Sequence, residues 1–231
     1  MKHLTGFLLV SLACASVFAA SDLSMSSRLE RPDSSVSHRN GKSFSLVANL
    51  FGISPSSSLE QGVSLSKFLS RDTLVQLDFG DGNTNLGGDI LSNYKTVAHT
   101  SSASLGVKHF VGNSFYVRGG VDYRHVNYYS RNVYSSTFFG TTTTSESVVE
   151  MNANSFSGSV VIGNQWQWEN FTLGCDWFGV TAPFASTVNS ERLASDTSDT
   201  SYERKKLEER KQHYLKDVAY QGLKFYLGAS F

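Results

Sequence analysis

His99 and Ser101 stand two residues apart, a spacing that places both side chains on one face of a β-strand. An imidazole beside a serine hydroxyl is the minimal pair for attack on an acyl ester, with histidine as base and serine as nucleophile. The chain is rich in Ser, and no carboxylate is identifiable in the sequence to orient the histidine, so no catalytic constellation closes around the pair. A second possibility lies just upstream. Asp81, Asn83, Asn85 and Asp89 follow the alternating oxygen rhythm of a calcium loop. Leu86 stands where such a loop needs Gly, and Ser92 where it needs Glu, so turn chemistry is the better reading. His38, His99, His109, His125 and His213 show no metal spacing, and no phosphate loop or dinucleotide fingerprint is present. These residues point to a non-enzyme with no cofactor and no metal.

The elements that must position such residues are strands. Of 231 residues, 17% are charged, against about 25% in an average protein. Aromatics reach 13%, and Gly (19) far outnumbers Pro (3), which favours strands over disorder. Lys+Arg and Asp+Glu balance at 20 each, which argues against a nucleic-acid partner. Lys2 and His3 precede an apolar run from Leu4 to Ala15, followed by Val17-Phe18-Ala19-Ala20. That order predicts a secretory signal over 1–19, cleaved after Ala19. Ser11 stands where a lipoprotein signal carries Leu ahead of Cys14, so a lipid anchor is not the reading. The exported chain keeps one cysteine, Cys175, and can form no internal disulfide. Residues 20–42 are polar and patternless and predict a flexible tail.

No later segment reaches 18 consecutive apolar residues, so a spanning helix is not expected. Strict alternation appears instead, eight times. The segments are 43–53, about 59–69, 73–80, roughly 97–111, one beginning at Phe115, one ending at Trp168, 171–180, and one from Leu223 to Phe231. Tight turns join pairs of them at 70–72, 112–114 and 169–170, while loops around 81–96, 129–150 and 181–215 are long. Phe68, Phe110, Phe115, Trp166, Trp168 and Phe171 crowd the short-turn rim.

Short turns on one rim, long loops on the other and an aromatic girdle are the pattern of membrane barrels. Phe231 ends the last alternating strand at the end of the sequence. Here residues 43–231 resemble the small eight-stranded outer-membrane β-barrels of Gram-negative bacteria, the OmpA/OmpX type. The resemblance implies an all-β, up-and-down antiparallel transmembrane barrel. It also implies an outer-membrane location, Phe231 as the signal read by the barrel-assembly machinery, and contact with outer-membrane lipid and lipopolysaccharide. In that setting the His99-x-Ser101 pair looks like the one used by lipid A deacylases, a third functional reading behind the two below.

Parity assigns the two faces. Leu, Val and Phe occupy one face, and the other collects Glu60, Asp78, Asp122 and Asp176 against Lys108, Arg118, Arg124 and Lys224. A soluble lipocalin-like barrel would have to bury those eight charges, so apolar is outside and polar inside. Eight strands enclose about enough room for their own side chains, which predicts a lumen plugged by paired charges. Function then falls to the loops. Phe138 and Phe139, at the tip of a long hairpin, are candidates for contact with an external surface or protein ligand. Thr200 and Glu203 predict a capping box for a helix over Tyr202–Val218, whose Arg204, Lys205, Lys206, Arg210 and Lys211 offer a basic face to anionic groups. The expectation is a structural or surface-interaction (adhesion-type) protein. A narrow channel or small-solute conduit is the alternative.

Overall fold

The computed structural model describes residues 34–54, 57–87, 94–139, 141–195 and 200–231. The expected signal over 1–19, and Asp89 of the calcium-like rhythm, lie outside them. One antiparallel sheet contains β1 (Phe44–Ser54), β2 (Ser57–Ser70), β3 (Thr73–Gly87), β4 (Tyr94–Phe110), β5 (Phe115–Phe138), β6 (Thr141–Trp168), β7 (Phe171–Ser195), β8 (Ala219–Gln221) and β9 (Lys224–Ser230). Each of β1 to β6 pairs with the strand that follows it, and β9 pairs with both β7 and β1, so the sheet closes on itself. β8 and β9 share one place on the β7 edge: β9 runs against Phe171–Asp176 and β8 against Gly179–Thr181. The result is a ring of eight strands whose eighth is interrupted at 222–223.

Opposite that interruption β7 carries a bulge. Gly163 faces Asp176 and Ile162 faces Phe178, leaving Trp177 as the extra residue. The bulge turns two successive aromatics, Trp177 and Phe178, to the outside. The three tight turns join β2–β3, β4–β5 and β6–β7. Left-handed backbone at Gly112 (φ 93°) and Glu169 (φ 46°) makes the last two.

Toward the short turns the outward positions of the strands are mostly apolar. Leu46, Val63, Leu77, Leu105, Val121 and Phe156 are all exposed on the ring's exterior. The inward positions beside them are buried and polar: Asn49, Ser64, Gln76, Asp78, Lys108, Arg118, Gln165 and Asp176. Toward the long-loop end the interior changes character. There Ala98, Val126, Tyr128, Val149, Met151 and Ala153 form an apolar cluster inside the ring. Buried polar side chains, among them Thr96, Ser130, Asn132 and Ser147, resume beyond it, so the cluster interrupts the polar interior expected from parity.

Among the described residues two helices flank the ring. α1 (Ser35–Arg39) precedes β1, and α2 (Ser201–Leu215) lies between β7 and β8. β7 continues to Ser195, well past the expected end near Val180. Its outer part scatters Phe184, Val188 and Leu193 among polar residues on both parities, so no two-residue period marks it, and pairing with β6 holds it extended. Thr200 makes no side-chain cap bond, and the expected capping box does not form. Glu203 is instead buried against the ring, and its Oε2 has no hydrogen-bond partner among the described residues.

Candidate functional site

Asp78 on β3 and Arg118 on β5 form a buried ion pair across β4 at the centre of the ring interior. Alternation along β2, β3 and β4 brings the other partners to the same carboxylate: Ser64, Gln76 and Ser104 all donate to Asp78. Each of these bonds replaces one to water that is lost on burial. Asp176 accepts from the Tyr116 hydroxyl and sits in register opposite Lys224. Lys108 is held by rings and neutral oxygens. Its ammonium lies 4.2 Å from the Tyr116 ring centroid and 4.8 Å from that of Tyr226, and donates to Gln165 Oε1 and the Tyr226 hydroxyl.

Glycines make room for that cage. A Cβ on Gly174 would fall 2.1 Å from the Tyr226 ring, and one on Gly163 would fall 2.6 Å from the Tyr116 hydroxyl. Farther toward the long loops, Glu60 accepts from Ser102, while Arg124 and Asp122 are half-buried. The eight charged residues picked out by parity thus all face inward, with Asp78–Arg118 in direct contact. Tyr116 belongs to the same network. Its even number on β5 places it with Arg118, Asp122 and Arg124, but a neutral phenol gives a charge pattern nothing to mark.

Both ends of the interior are closed. At the short turns, Phe68, Leu74, Phe110 and Tyr116 form a small apolar layer. Arg39 of α1 lies 3.9 Å over the Phe110 ring with its side chain fully buried. Its guanidinium donates to the backbone carbonyls of Arg71, Gly112 and Asn113, and it approaches Asp72 at 3.7 Å. Burial pulls this group down to about 10, and it stays charged at neutral pH. Gln167 N donates to Ser35 Oγ, and Val36 N to Asn113 Oδ1. Residues 34–42 are therefore a docked segment and not the end of a flexible tail. Nothing in their polar sequence signals this, because the carbonyls that hold Arg39 belong to turns distant along the chain.

At the other end Leu207, Tyr214 and Leu215 of α2 complete the apolar cluster inside the strands. Tyr214 meets the Tyr128 ring at 6.3 Å. Lys211 ties the helix to β7 through Glu191 at 2.5 Å and pairs with Glu208 at 2.7 Å. It is thereby removed from the expected open basic face.

No protein-family model matches the chain. No curated protein matches it either. Three solved structures resemble it in outline. They are Acinetobacter baumannii CarO (14% identity, 81% of this chain and 96% of that one, TM-score 0.43), A. baumannii CarO2 (13%, 83% and 100%, 0.46) and a major outer membrane protein from Thermus thermophilus (13%, 83% and 100%, 0.48). The ring itself is defined by its strand pairings.

The remaining sequence candidates scatter. Phe139 forms the β5–β6 turn at φ 49° and is 93% exposed, while the side chain of Phe138 lies outside the described residues. Lys205, Lys206 and Arg210 line a cleft of about 340 Å³ with Tyr202 and Glu209, and Arg204 is exposed beside it. The Arg210 guanidinium stands 5.7 Å from the Tyr128 ring. Asp81 and Asn83 lie on β3, so their rhythm is strand alternation and not a loop. Phe231 packs its ring 6.5 Å from that of Phe44, and its carbonyl accepts from Ser43 N and Phe44 N.

A carboxylate does meet the His99–Ser101 pair. Asp81 lies directly across from Ser101, accepts from its hydroxyl at 3.0 Å, and stands 3.2 Å from His99 Nε2. The Ser101 hydroxyl and the His99 imidazole thus both meet the one Asp81 carboxylate. Register across a β-pair, which the sequence alone does not supply, is what brings Asp81 to this place.

Proposed function

We propose that the chain is an exported, eight-stranded up-and-down outer-membrane β-barrel of the OmpA/OmpX kind, with a plugged lumen and a structural or surface-interaction role. One observation carries the reading: exposed Leu, Val and Phe cover the exterior, while the charged pair Asp78–Arg118 is buried within. In water that distribution is inverted, but in a bilayer it satisfies both the acyl chains and the buried charges. The signal over 1–19 delivers the chain for export, and Phe231, which follows the closing strand, is the residue offered to the barrel-assembly machinery. The tight turns and α1 face the periplasm. The β5–β6 hairpin and α2 face outward, toward lipopolysaccharide and external partners.

The lumen scaffolds these loops and conducts nothing. The test is conductance of residues 20–231 refolded into a planar bilayer, with folding confirmed by heat-modifiable gel migration. A folded, silent barrel is the expected result. Steady ion-selective steps would replace the plugged scaffold with a narrow channel, and failure to insert into any bilayer would sink the membrane reading itself.

A further inference from the structure

At the long-loop end of the interior three buried oxygens lack a bond. Asn132 on β5 (4% exposed) and Ser147 on β6 (1%) are buried, yet neither Asn132 Oδ1 nor Ser147 Oγ has a hydrogen-bond partner among the described residues. The third is Oε2 of Glu203, in the first turn of α2, at 5% exposure. A buried oxygen left so costs about 1–3 kcal/mol, and more when it belongs to a carboxylate. Three such atoms in one place call for a partner from outside the chain.

Register and helix rise bring them to one place. Asn132 and Ser147 are directly opposed across β5 and β6, which sets their Cβ atoms about 5 Å apart. α2 follows the row Glu191, Leu193, Ser195 of β7. Lys211 pairs with Glu191, and Leu193 packs on the cluster that contains Leu207. Four helix residues rise about 6 Å and two strand residues about 6.6 Å, so one step along α2 matches one along β7. The next step places Glu203 at the level of Ser195, which is the partner of Ser147 in the β6–β7 ladder. The ring ends at this same level. β4 begins at Tyr94 opposite Asn132, β7 stops at Ser195, and the β5–β6 hairpin continues alone among the described strands.

We propose that Glu203, Asn132 and Ser147 bind a calcium ion that ties the start of α2 to the base of the β5–β6 hairpin. The donor atoms select the ligand. Carboxylate and carboxamide oxygens only accept, so their partner is a cation or a hydrogen-bond donor. Lys211, the α2 cation that reaches the strands, pairs with Glu191 and Glu208 and not with Glu203. Among the described residues no three of His, Cys, Asp and Glu come together. A set made of oxygens alone suits a hard cation and not zinc or copper. Oxygens held on three separate elements favour calcium, which accepts irregular geometry, over magnesium, which demands a near-ideal octahedron. One carboxylate makes the site weak, in the range of extracellular calcium modules. The inference rests on the outward orientation proposed above for its supply of ion. It adds control of the loops to that reading, because with calcium bound the hairpin and α2 move as one body.

The test uses residues 20–231 refolded in detergent micelles, stripped with chelator and titrated with calcium chloride. Heat-modifiable migration confirms the fold of each variant, equilibrium dialysis counts the bound ion, and hydrogen exchange follows the backbone. The wild type is expected to take up one calcium per chain with a Kd of about 10⁻⁴–10⁻³ M. Exchange should slow together in the first turn of α2 and around Asn132 and Ser147. Glu203→Gln, which keeps the shape and removes the charge, should weaken uptake about tenfold or more. Ser147→Ala should weaken it severalfold, and it decides alone if Glu203→Gln does not fold. Glu208→Gln removes the same charge from the exposed side of α2 and should leave uptake unchanged.

No saturable uptake by the wild type overturns the site, in favour of buried water. Equal affinity in the wild type, Glu203→Gln and Ser147→Ala overturns it as well, as does equal loss in Glu203→Gln and Glu208→Gln, which would mean diffuse surface charge. Bilayer insertion and conductance play no part in this measurement, so a failed calcium site leaves the barrel reading standing, and a failed barrel reading shows itself in the bilayer.

Discussion

The short-turn end of the ring is sealed by one arginine and the long-loop end by one helix face, and the two seals use opposite physics. Arg39 closes its end with charge-assisted hydrogen bonds to carbonyls of two turns and a cation over Phe110. α2 closes the other with Leu207, Tyr214 and Leu215 pressed into an apolar pocket of strand residues. A hydrogen-bonded seal is directional and fails when one donor is removed, because the carbonyls it leaves are orphaned. An apolar seal is non-directional and fails by degrees, in proportion to the area withdrawn. Stable backbone stitching and a graded helix contact thus sit at opposite ends of one molecule.

The largest test of that contrast is Arg39→Ala, expected to cost about 3–5 kcal/mol in urea unfolding from detergent micelles. Arg39→Lys keeps the charge but not the planar fork that reaches several carbonyls, so it should recover only part of that loss. A lysine variant as stable as wild type would show that charge alone makes the seal. Leu207→Ala is the counterpart, with an expected loss of about 2–4 kcal/mol from helix docking. Its signature is hydrogen exchange rising in α2 while the strands keep their protection, and uniform loss everywhere would contradict an independent seal.

The smallest effect concerns pH. The Lys211 hydrogen bond holds the Glu208 carboxyl below its usual value. A depressed carboxylate adds stability above its unfolded value and loses it as pH falls through the folded one. Acidification below about pH 4 should therefore loosen α2 by less than about 1 kcal/mol, read as faster proteolysis at that helix. Arg39 carries no comparable dependence there, so the short-turn end should hold at the same pH.

The sequence carries much of this arrangement because a two-residue period reports strand faces directly. Asp78, Lys108, Arg118 and Asp176 are readable as inward from parity alone, as are the turns at Gly112 and Glu169. What cannot be read depends on register or on contacts far along the chain. Asp81 joins Ser101 only because β3 and β4 pair one way, and Arg39 is held by turns whose residues give no sign of a guest. The outer half of β7 has no period to show, because Phe184, Val188 and Leu193 fall on both parities among polar residues. Glu203 matches a capping signature by spacing, yet burial against the strands draws its side chain away from the helix start.

The pairing of Ser45 with Ser230 has a consequence for how fast the molecule forms. β1 is among the first strands made, and its neighbour β9 among the last, so the final seam waits for nearly the whole chain. Joining such distant segments is entropically slow, and until it happens two raw sheet edges face each other across a gap. Unsatisfied edges template pairing with other chains. Ring closure is thus the step at which this protein is most exposed to misassembly, and the slow one to look for in refolding kinetics.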